Sequence, residues 1–492
     1  MARSSATASR AATIDTIGRD RFNRIALAFV LLGAGLTYAN ALANGFVLDD
    51  GPMIRENPLV HSTDGLWRAF VLPYWPESIG AGQYRPLGII SYTIDWLVSG
   101  GDPRWFHFVN VLWHVAATAA VWALAAELLS PMGAVIAALL FGVHPVHVEA
   151  VANIVGRLEC MAALFVLVSM IAHRRKSRWT PAFFALAMLS KENAIVFLAL
   201  APAHDLLLTP DPRAAFRERR WLYAGYAVVI VLYATLFFAV FHDRAVTTPS
   251  RSLIGLDMIE RLPVIASIIP HYIRLLLLPA ELSASYAPNV IPLQPGIVGV
   301  VLGLTLVTIL VVALVATARE RRWPAMAFAL VWIPIALAPV ANVFFPSVLL
   351  AERTLYLPSV GACLALGAVA ERVVFTRPRV VVAAMATIVL AFVARTWTRT
   401  PVWRDDRVFV LTMYKQRPES YEAHLTAGRI LKGAGRYAEA ARELELARQL
   451  FPRDPNVYTE LADLAQRQGR QALAAVMRDS ARIAPTFPLP SR

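Results

Sequence analysis

Residues 296–317 read GIVGVVLGLTLVTILVVALVAT, without one charged side chain, and Arg319, Arg321 and Arg322 follow at once. As a helix this run would extend about 33 Å at 1.5 Å per residue, enough to cross a hydrocarbon core of about 30 Å. Comparable apolar runs recur at 24–43, 108–129, 132–148, 158–173, 179–190, 193–209, 221–241, 323–345, 354–371 and 379–396. Together they predict an all-α polytopic membrane protein with about eleven transmembrane helices.

The composition agrees. Of 492 residues, 57% are hydrophobic and only 16% charged, with a mean hydropathy of +0.53. A soluble domain carries about 25% charged residues, so a soluble globular enzyme is excluded. A disordered chain is excluded too, because it would need low hydrophobicity. The two cysteines, Cys160 and Cys363, sit inside apolar runs and read as packing residues rather than a disulfide framework.

A net charge of +13 would suggest nucleic acid in a soluble protein. Here the basic residues fall in clusters between apolar runs, at the N-terminus and at 174–178, 213–220, 319–322 and 372–379. That pattern sets membrane orientation and gives no reason to expect a nucleic-acid partner. With every cluster cytoplasmic, successive clusters must be separated by an even number of spans. The interval from 221 to 317 holds three apolar stretches. The weakest, 261–279, carries Pro263, Pro270, His271, Arg274 and Pro279, and is expected to be re-entrant or to lie on the outer surface.

This places a tail, 1–23, in the cytoplasm, ahead of a membrane domain over 24–396. The first extracytoplasmic loop is then 44–106, with seven acidic and four basic residues. ALA at 41–43 resembles a signal-peptidase site, but the preceding run is long for a signal peptide, so an uncleaved anchor is expected.

Beyond Trp397 the chain becomes soluble in character. With Tyr421 as position one, Gly428, Ala440, Ala447 and Pro452 fall on the small-residue and proline positions of the 34-residue tetratricopeptide (TPR) pattern. Ala462, Ala474 and Ala481 follow one period later, and Pro418 lies one period before Pro452. An extracytoplasmic module over 397–492 is expected: a juxtamembrane helix and about two repeats (421–454 and 455–488). So short an array should dock on the membrane domain or on a partner. Its groove offers a protein-partner site; a structural lid is the alternative.

Ionisable residues at membrane depth are costly and mark candidate sites. Four groups fall at the extracytoplasmic ends of the spans. NGFVLDD (44–50) supplies Asp49 and Asp50, a carboxylate pair suited to base chemistry. HPVHVEA (144–150) supplies His144, His147 and Glu149, a candidate set for a divalent metal whose spacing is not that of a zincin. SKEN (190–193) supplies Lys191 and Glu192, and AERTLYLPSVG (351–361) supplies Glu352 and Arg353. Arg353, Lys191, Arg85 in QYRP and Arg157 in GRLE are candidates for binding a phosphate, with arginine the better geometric match. The anion they suit is a lipid-linked phosphate, since no glycine-rich nucleotide motif opens a helix.

The chain resembles the transmembrane and TPR repeat-containing O-mannosyltransferases of the GT-C glycosyltransferase superfamily. The matching strings are NGFVLDD (44–50), YRPLGIISY (84–92), FHFVNVLWH (106–114), FGVHPVHVEAVANIVGR (141–157), LSKENAI (189–195), ERTLYLPSVG (352–361) and TRTPVWRDD (398–406). The resemblance implies a polyprenyl-phosphate sugar donor, mannose by analogy, and a lumenal or periplasmic active site. The acceptor would be protein Ser/Thr or another extracytoplasmic acceptor, a glycan included. It implies Asp49 as the catalytic carboxylate with Asp50 in support, the cations neutralising the leaving phosphate, and His144, His147, Glu149, Glu192 and Glu352 as supporting polar groups. Inverting chemistry is expected; the donor is the one small-molecule requirement the resemblance implies, and a divalent metal is left open. The repeat array is shorter than many relatives carry. A non-catalytic TPR scaffold is the alternative reading, and a transporter the remote one. The Ala/Arg-rich composition favours a bacterial inner membrane over endoplasmic reticulum.

Overall fold

The computed structural model describes residues 21–76, 82–242, 253, 256–288, 290–320, 323–343 and 348–487. Apart from residues 21–23, the expected cytoplasmic tail lies outside the described residues, as does the last residue of the second expected repeat.

Every regular element among the described residues is helical. Helix α1 covers Arg21–Ala43. It is followed in the first loop by α2 (Gly65–Arg68) and α3 (Pro86–Ser99), then by α4 (Pro103–Leu128), α5 (Pro131–Gly142), α6 (Val148–Ala152) and α7 (Arg157–Arg174). The chain continues through α8 (Thr180–Ser190), α9 (Phe197–Leu208), α10 (Pro212–Glu218), α11 (Arg220–Phe241) and α12 (Met258–Leu277). Next come α13 (Ile297–Glu320), α14 (Pro324–Leu337), α15 (Tyr356–Val374) and α16 (Pro378–Arg399). The C-terminal part holds α17 (Asp406–Gln416), α18 (Tyr421–Gly433), α19 (Tyr437–Leu450), α20 (Pro455–Arg467) and α21 (Gln471–Ile483).

Local chemistry sets many of these boundaries. Asp102 caps α4 by accepting the Arg104 N–H at 2.9 Å, and Ser130 caps α5. Proline stands in the first turn of both, where its missing N–H costs nothing. Asp257 and Glu260 form a reciprocal capping box on α12.

All eleven expected apolar stretches contain a helix, but they are not alike. Seven helices among the described residues are long and apolar enough to cross a membrane, and the α5–α6 region adds an eighth if its two segments, bent by 43°, count as one span. The bend falls at His144–Pro145, where proline interrupts the backbone ladder. Helices α8, α9 and α14 have 11, 12 and 14 residues. Each falls short of the roughly 20 that a full crossing needs. Their apolar runs looked longer because flanking 3₁₀ turns and loops share the composition.

The 261–279 stretch is the amphipathic α12, with prolines at 263 and 270, and it is not among the candidate spans. It lies against α13 at Gly303, where a Cβ would stand 1.9 Å from the Ala266 carbonyl oxygen. The rest of α13 is bare: Ile297 and Val298 are over 70% exposed, as expected of a helix solvated by lipid.

The main core is built from α1, α4, α5, α7, α8, α9, α14 and α15. A second apolar cluster joins α12 and the segment after it to the C-terminal helices through Leu282, Tyr286, Tyr421, Leu425 and Phe451. Ser285 Oγ donates to Glu422 Oε2 at 2.7 Å, and Ala284 N–H to Gln416 Oε1 at 3.1 Å, along the same seam. The C-terminal helices are thus seated on the membrane-helix body. They form the hairpins α18–α19 and α20–α21, and Gly428 lets Leu444 approach so closely that a Cβ would meet it at 2.6 Å.

Candidate active site

The loop after α1 turns tightly and delivers Asp49 and Asp50 to opposite fates. Asp50 is fully buried. Its Oδ2 accepts the Val47 N–H at 3.0 Å and its Oδ1 the Val155 N–H at 2.9 Å, which ties the loop to the turn before α7. Burial pushes the Asp50 carboxyl up to about 7, against the two backbone bonds that favour its ionised form. Asp49 is only partly buried, and among the described residues its carboxylate has no hydrogen-bond or ion-pair partner.

Arg353 lies within electrostatic reach of Asp49 and belongs to a group of three cations, each joined to a glutamate. Arg85 holds Glu192 with both prongs of its guanidinium, Nε to Oε2 at 2.8 Å, and lies over the Tyr74 ring at 5.3 Å. Lys191 pairs with Glu159. Arg353 pairs with Glu149 through its side chain, while its backbone N–H donates to Glu149 Oε2 at 2.9 Å. These pairs share one field. Lys191 is within electrostatic reach of Glu159, Arg85, Glu192 and Arg353, and Arg353 of Glu149, Asp49 and Glu159. Burial lowers the Lys191 ammonium from its usual range. It would raise the Glu192 carboxyl, but the adjoining Arg85 draws that group down to about 2.

The structure thus brings Asp49, Asp50, Arg85, Glu149, Lys191, Glu192 and Arg353 to one end of the bundle, from five separate places in the sequence. Glu159 belongs with them although its string, GRLE, was singled out for the arginine. Of the three cations Arg353 is the most open, its side chain 30% exposed against 10% for Arg85 and for Lys191.

Arg157 does not join them. It is fully buried and pairs with Asp95 at 2.5 Å. Its remaining donors go to Asn110 Oδ1 at 2.6 Å, Ser91 Oγ at 2.7 Å and the Phe106 carbonyl at 2.9 Å. Fully buried and held by these partners, Arg157 clamps α3, α4 and α7 rather than joining the cluster at Asp49. Glu352 is likewise turned away: Tyr286 and the Ser283 N–H donate to it at 2.9 and 2.7 Å, with Arg399 at 3.7 Å.

The candidate metal set His144, His147 and Glu149 does not converge. His144 bonds the Leu276 carbonyl at 3.1 Å, His147 bonds Ser359 Oγ at 2.8 Å, and Glu149 is held by Arg353. At the opposite end of α7, His173, His204 and Asp205 do bring ligand atoms within 4.8 Å of one another. Two arginines crowd that group, however. Arg174 donates to His204 Nε2 at 2.9 Å, which leaves the ring proton on Nδ1 facing Asp205, and Arg219 lies 3.4 Å from Asp205. With the Nε2 lone pair engaged by Arg174 and the Nδ1–H directed at Asp205, His204 faces the group with a proton rather than a lone pair. Neither donor set fits a resident metal.

Residues 96–238 match the family model described as dolichyl-phosphate-mannose-protein mannosyltransferase. The chain is similar to the protein O-mannosyl-transferases. One of them, from Caenorhabditis elegans, is 25% identical over 430 residues, covering 85% of this chain and 61% of its own length. Protein O-mannosyl-transferase TMTC3 of Homo sapiens is 23% identical over 502 residues, covering 84% of this chain and 54% of its own. A shorter match, 36% identical over 201 residues, is to protein O-mannosyl-transferase Tmtc2 of Drosophila melanogaster, covering 37% of this chain and 21% of that one. The chain spans a little over half the length of the first two relatives. The family resemblance carried by the seven strings is borne out, and the match to the family model includes Arg157, Glu159, Lys191 and Glu192.

Proposed function

We propose that the protein is a membrane glycosyltransferase that moves a sugar, mannose by analogy with its relatives, from a polyprenyl-phosphate donor to a hydroxyl of a protein acceptor. The observation that carries this reading is a carboxylate, Asp49, that has no hydrogen-bond or ion-pair partner among the described residues and lies within electrostatic reach of Arg353, whose own neighbours include Lys191.

In the proposed reaction Asp49 accepts the proton of the acceptor hydroxyl as its oxygen bonds to the anomeric carbon. The bond from that carbon to the phosphate oxygen breaks on the opposite face, so the centre inverts. The electron pair leaves with the polyprenyl phosphate, and Arg353 meets the new charge, with Lys191 and Arg85 in support. Asp50 contributes by fixing the loop. No step passes through a metal.

In this reading the site faces the extracytoplasmic side, because the basic clusters gather at the other ends of the spans, and helices α18–α21 are two TPR-like repeats that present the acceptor. A bacterial inner membrane is the proposed home. The reading is tested with full-length protein in lipid vesicles, given radiolabelled polyprenyl-phosphate mannose and a Ser/Thr-rich peptide. Labelled peptide and free polyprenyl phosphate should appear together for the wild type. Donor left intact with every peptide offered would overturn it.

A further inference from the structure

The loop that carries Asp49 is held from a direction its own sequence does not reveal. Leu48 sits in the left-handed region, with φ of 49°, where a non-glycine residue is rarely found. Its N–H donates to Asp406 Oδ1 at 2.8 Å, across 358 residues of chain. Two residues before Asp406, the Arg404 carbonyl accepts the Gly45 N–H at 2.8 Å, and a Cβ on Gly45 would press to 3.3 Å from that oxygen. Asn44 Nδ2 donates to the Thr400 carbonyl at 3.2 Å, which continues the seam. Asp405 is occupied elsewhere: it caps α17 by accepting the Val408 N–H at 2.8 Å. The two neighbouring aspartates therefore divide the work, one starting the helix and the other reaching back to the loop.

We propose that Asp406 is a positioning residue for Asp49. By accepting the Leu48 N–H, it keeps Leu48 in the left-handed conformation and so sets the direction in which the next residue, Asp49, leaves the backbone. Asp50, tied to Val47 and Val155, holds the other side of Asp49. Without the Asp406 carboxylate the Leu48 N–H loses its acceptor, and the 48–49 peptide is left to the turn bond from the Gly51 N–H to the Leu48 carbonyl at 3.0 Å, a weaker restraint against rotation toward ordinary backbone angles. A general base must stand within hydrogen-bond reach of the hydroxyl it serves, so that rotation removes rate rather than donor affinity. The root of the C-terminal helical module is then part of the catalytic apparatus. The inference rests on Asp49 being the catalytic base.

The test is steady-state kinetics of the full-length protein in vesicles with radiolabelled polyprenyl-phosphate mannose and a Ser/Thr-rich peptide. Asp406→Ala should lower kcat by about 100-fold with donor KM within about twofold. Asp406→Asn, which keeps a carbonyl acceptor for the Leu48 N–H, should restore most of the lost rate. Leu48→Asn should recover part of it in the Asp406→Ala background, because asparagine tolerates positive φ. If Asp406→Ala does not fold, Leu48→Val stands in with Asp406 intact. A β-branched residue resists positive φ, so kcat should fall about tenfold.

A wild-type kcat for Asp406→Ala or for Leu48→Val, while Asp49→Asn is inactive, would overturn the positioning role alone. So would a change confined to donor KM. Full activity of Asp49→Asn would instead remove the catalytic reading, and the positioning role with it.

Discussion

Arg353 is joined to Glu149 twice, through its guanidinium and through its own backbone N–H, which donates to Glu149 Oε2 at 2.9 Å. The 204 residues between them bring the start of α15 against the helix after the His144–Pro145 bend. Glu149 thereby holds the most exposed of the three cations beside Asp49 without smothering it.

Replacing Arg353 with Met should cost one charge-assisted hydrogen bond to the leaving phosphate, about 1.5–3 kcal/mol, or roughly 10- to 100-fold in kcat/KM. It also strands a buried carboxylate. Adding Glu149→Gln should therefore recover thermal stability in detergent without recovering turnover. Recovery of both together would show that the pair serves the fold alone.

Asp50 predicts a pH dependence. Its folded carboxyl is raised to about 7 by burial, from 3.8, so the folded state binds the proton more tightly than the unfolded chain does. The stability this confers is fully present below about pH 4 and is lost as pH rises through about 7, at most about 4 kcal/mol at 1.36 kcal/mol per unit. Melting curves from pH 4 to 8 should show that slope for wild type and a flatter one for Asp50→Asn. Identical slopes would contradict the assignment.

Arg157→Met should act on stability rather than on catalysis. It leaves Asp95 as a buried, uncompensated carboxylate and costs about 3–5 kcal/mol. Asp95→Asn in the same chain should return part of it. A stable Arg157→Met protein whose only defect is a raised donor KM would restore the phosphate-binding role that the geometry denies.

Chelation should leave the protein unmoved. Arg174 and Arg219 keep the His173–His204–Asp205 group engaged as a hydrogen-bonded network. Overnight treatment with a strong chelator, followed by zinc addition, should therefore not shift the melting temperature. A rise of several degrees on adding zinc would show that the arginines yield to a metal.

The helical membrane body was legible because unbroken apolar runs such as 296–317 carry their meaning locally. The lengths of α8, α9 and α14 were not, since composition does not separate a short helix from the apolar turns around it. NGFVLDD supplied the candidate carboxylates, but nothing in two adjacent aspartates says which will be buried under backbone N–H groups and which will have no partner among the described residues. Arg157 was misjudged for the same reason: Asp95 and Asn110, which absorb its charge and its donors, are remote in sequence. Glu159 and Asp406 went unassigned because each acquires its role only when the fold presents Lys191 or Leu48 to it.

The central claim is that Asp49, whose carboxylate has no hydrogen-bond or ion-pair partner among the described residues, takes the proton of the acceptor. The most direct measurement is single-turnover transfer from radiolabelled polyprenyl-phosphate mannose to a Ser/Thr-rich peptide by Asp49→Asn, in vesicles where its melting temperature matches wild type. Loss of general-base catalysis predicts a transfer rate lower by about 10²–10⁴-fold with donor binding retained. Transfer at the wild-type rate by a folded Asp49→Asn protein would contradict the account.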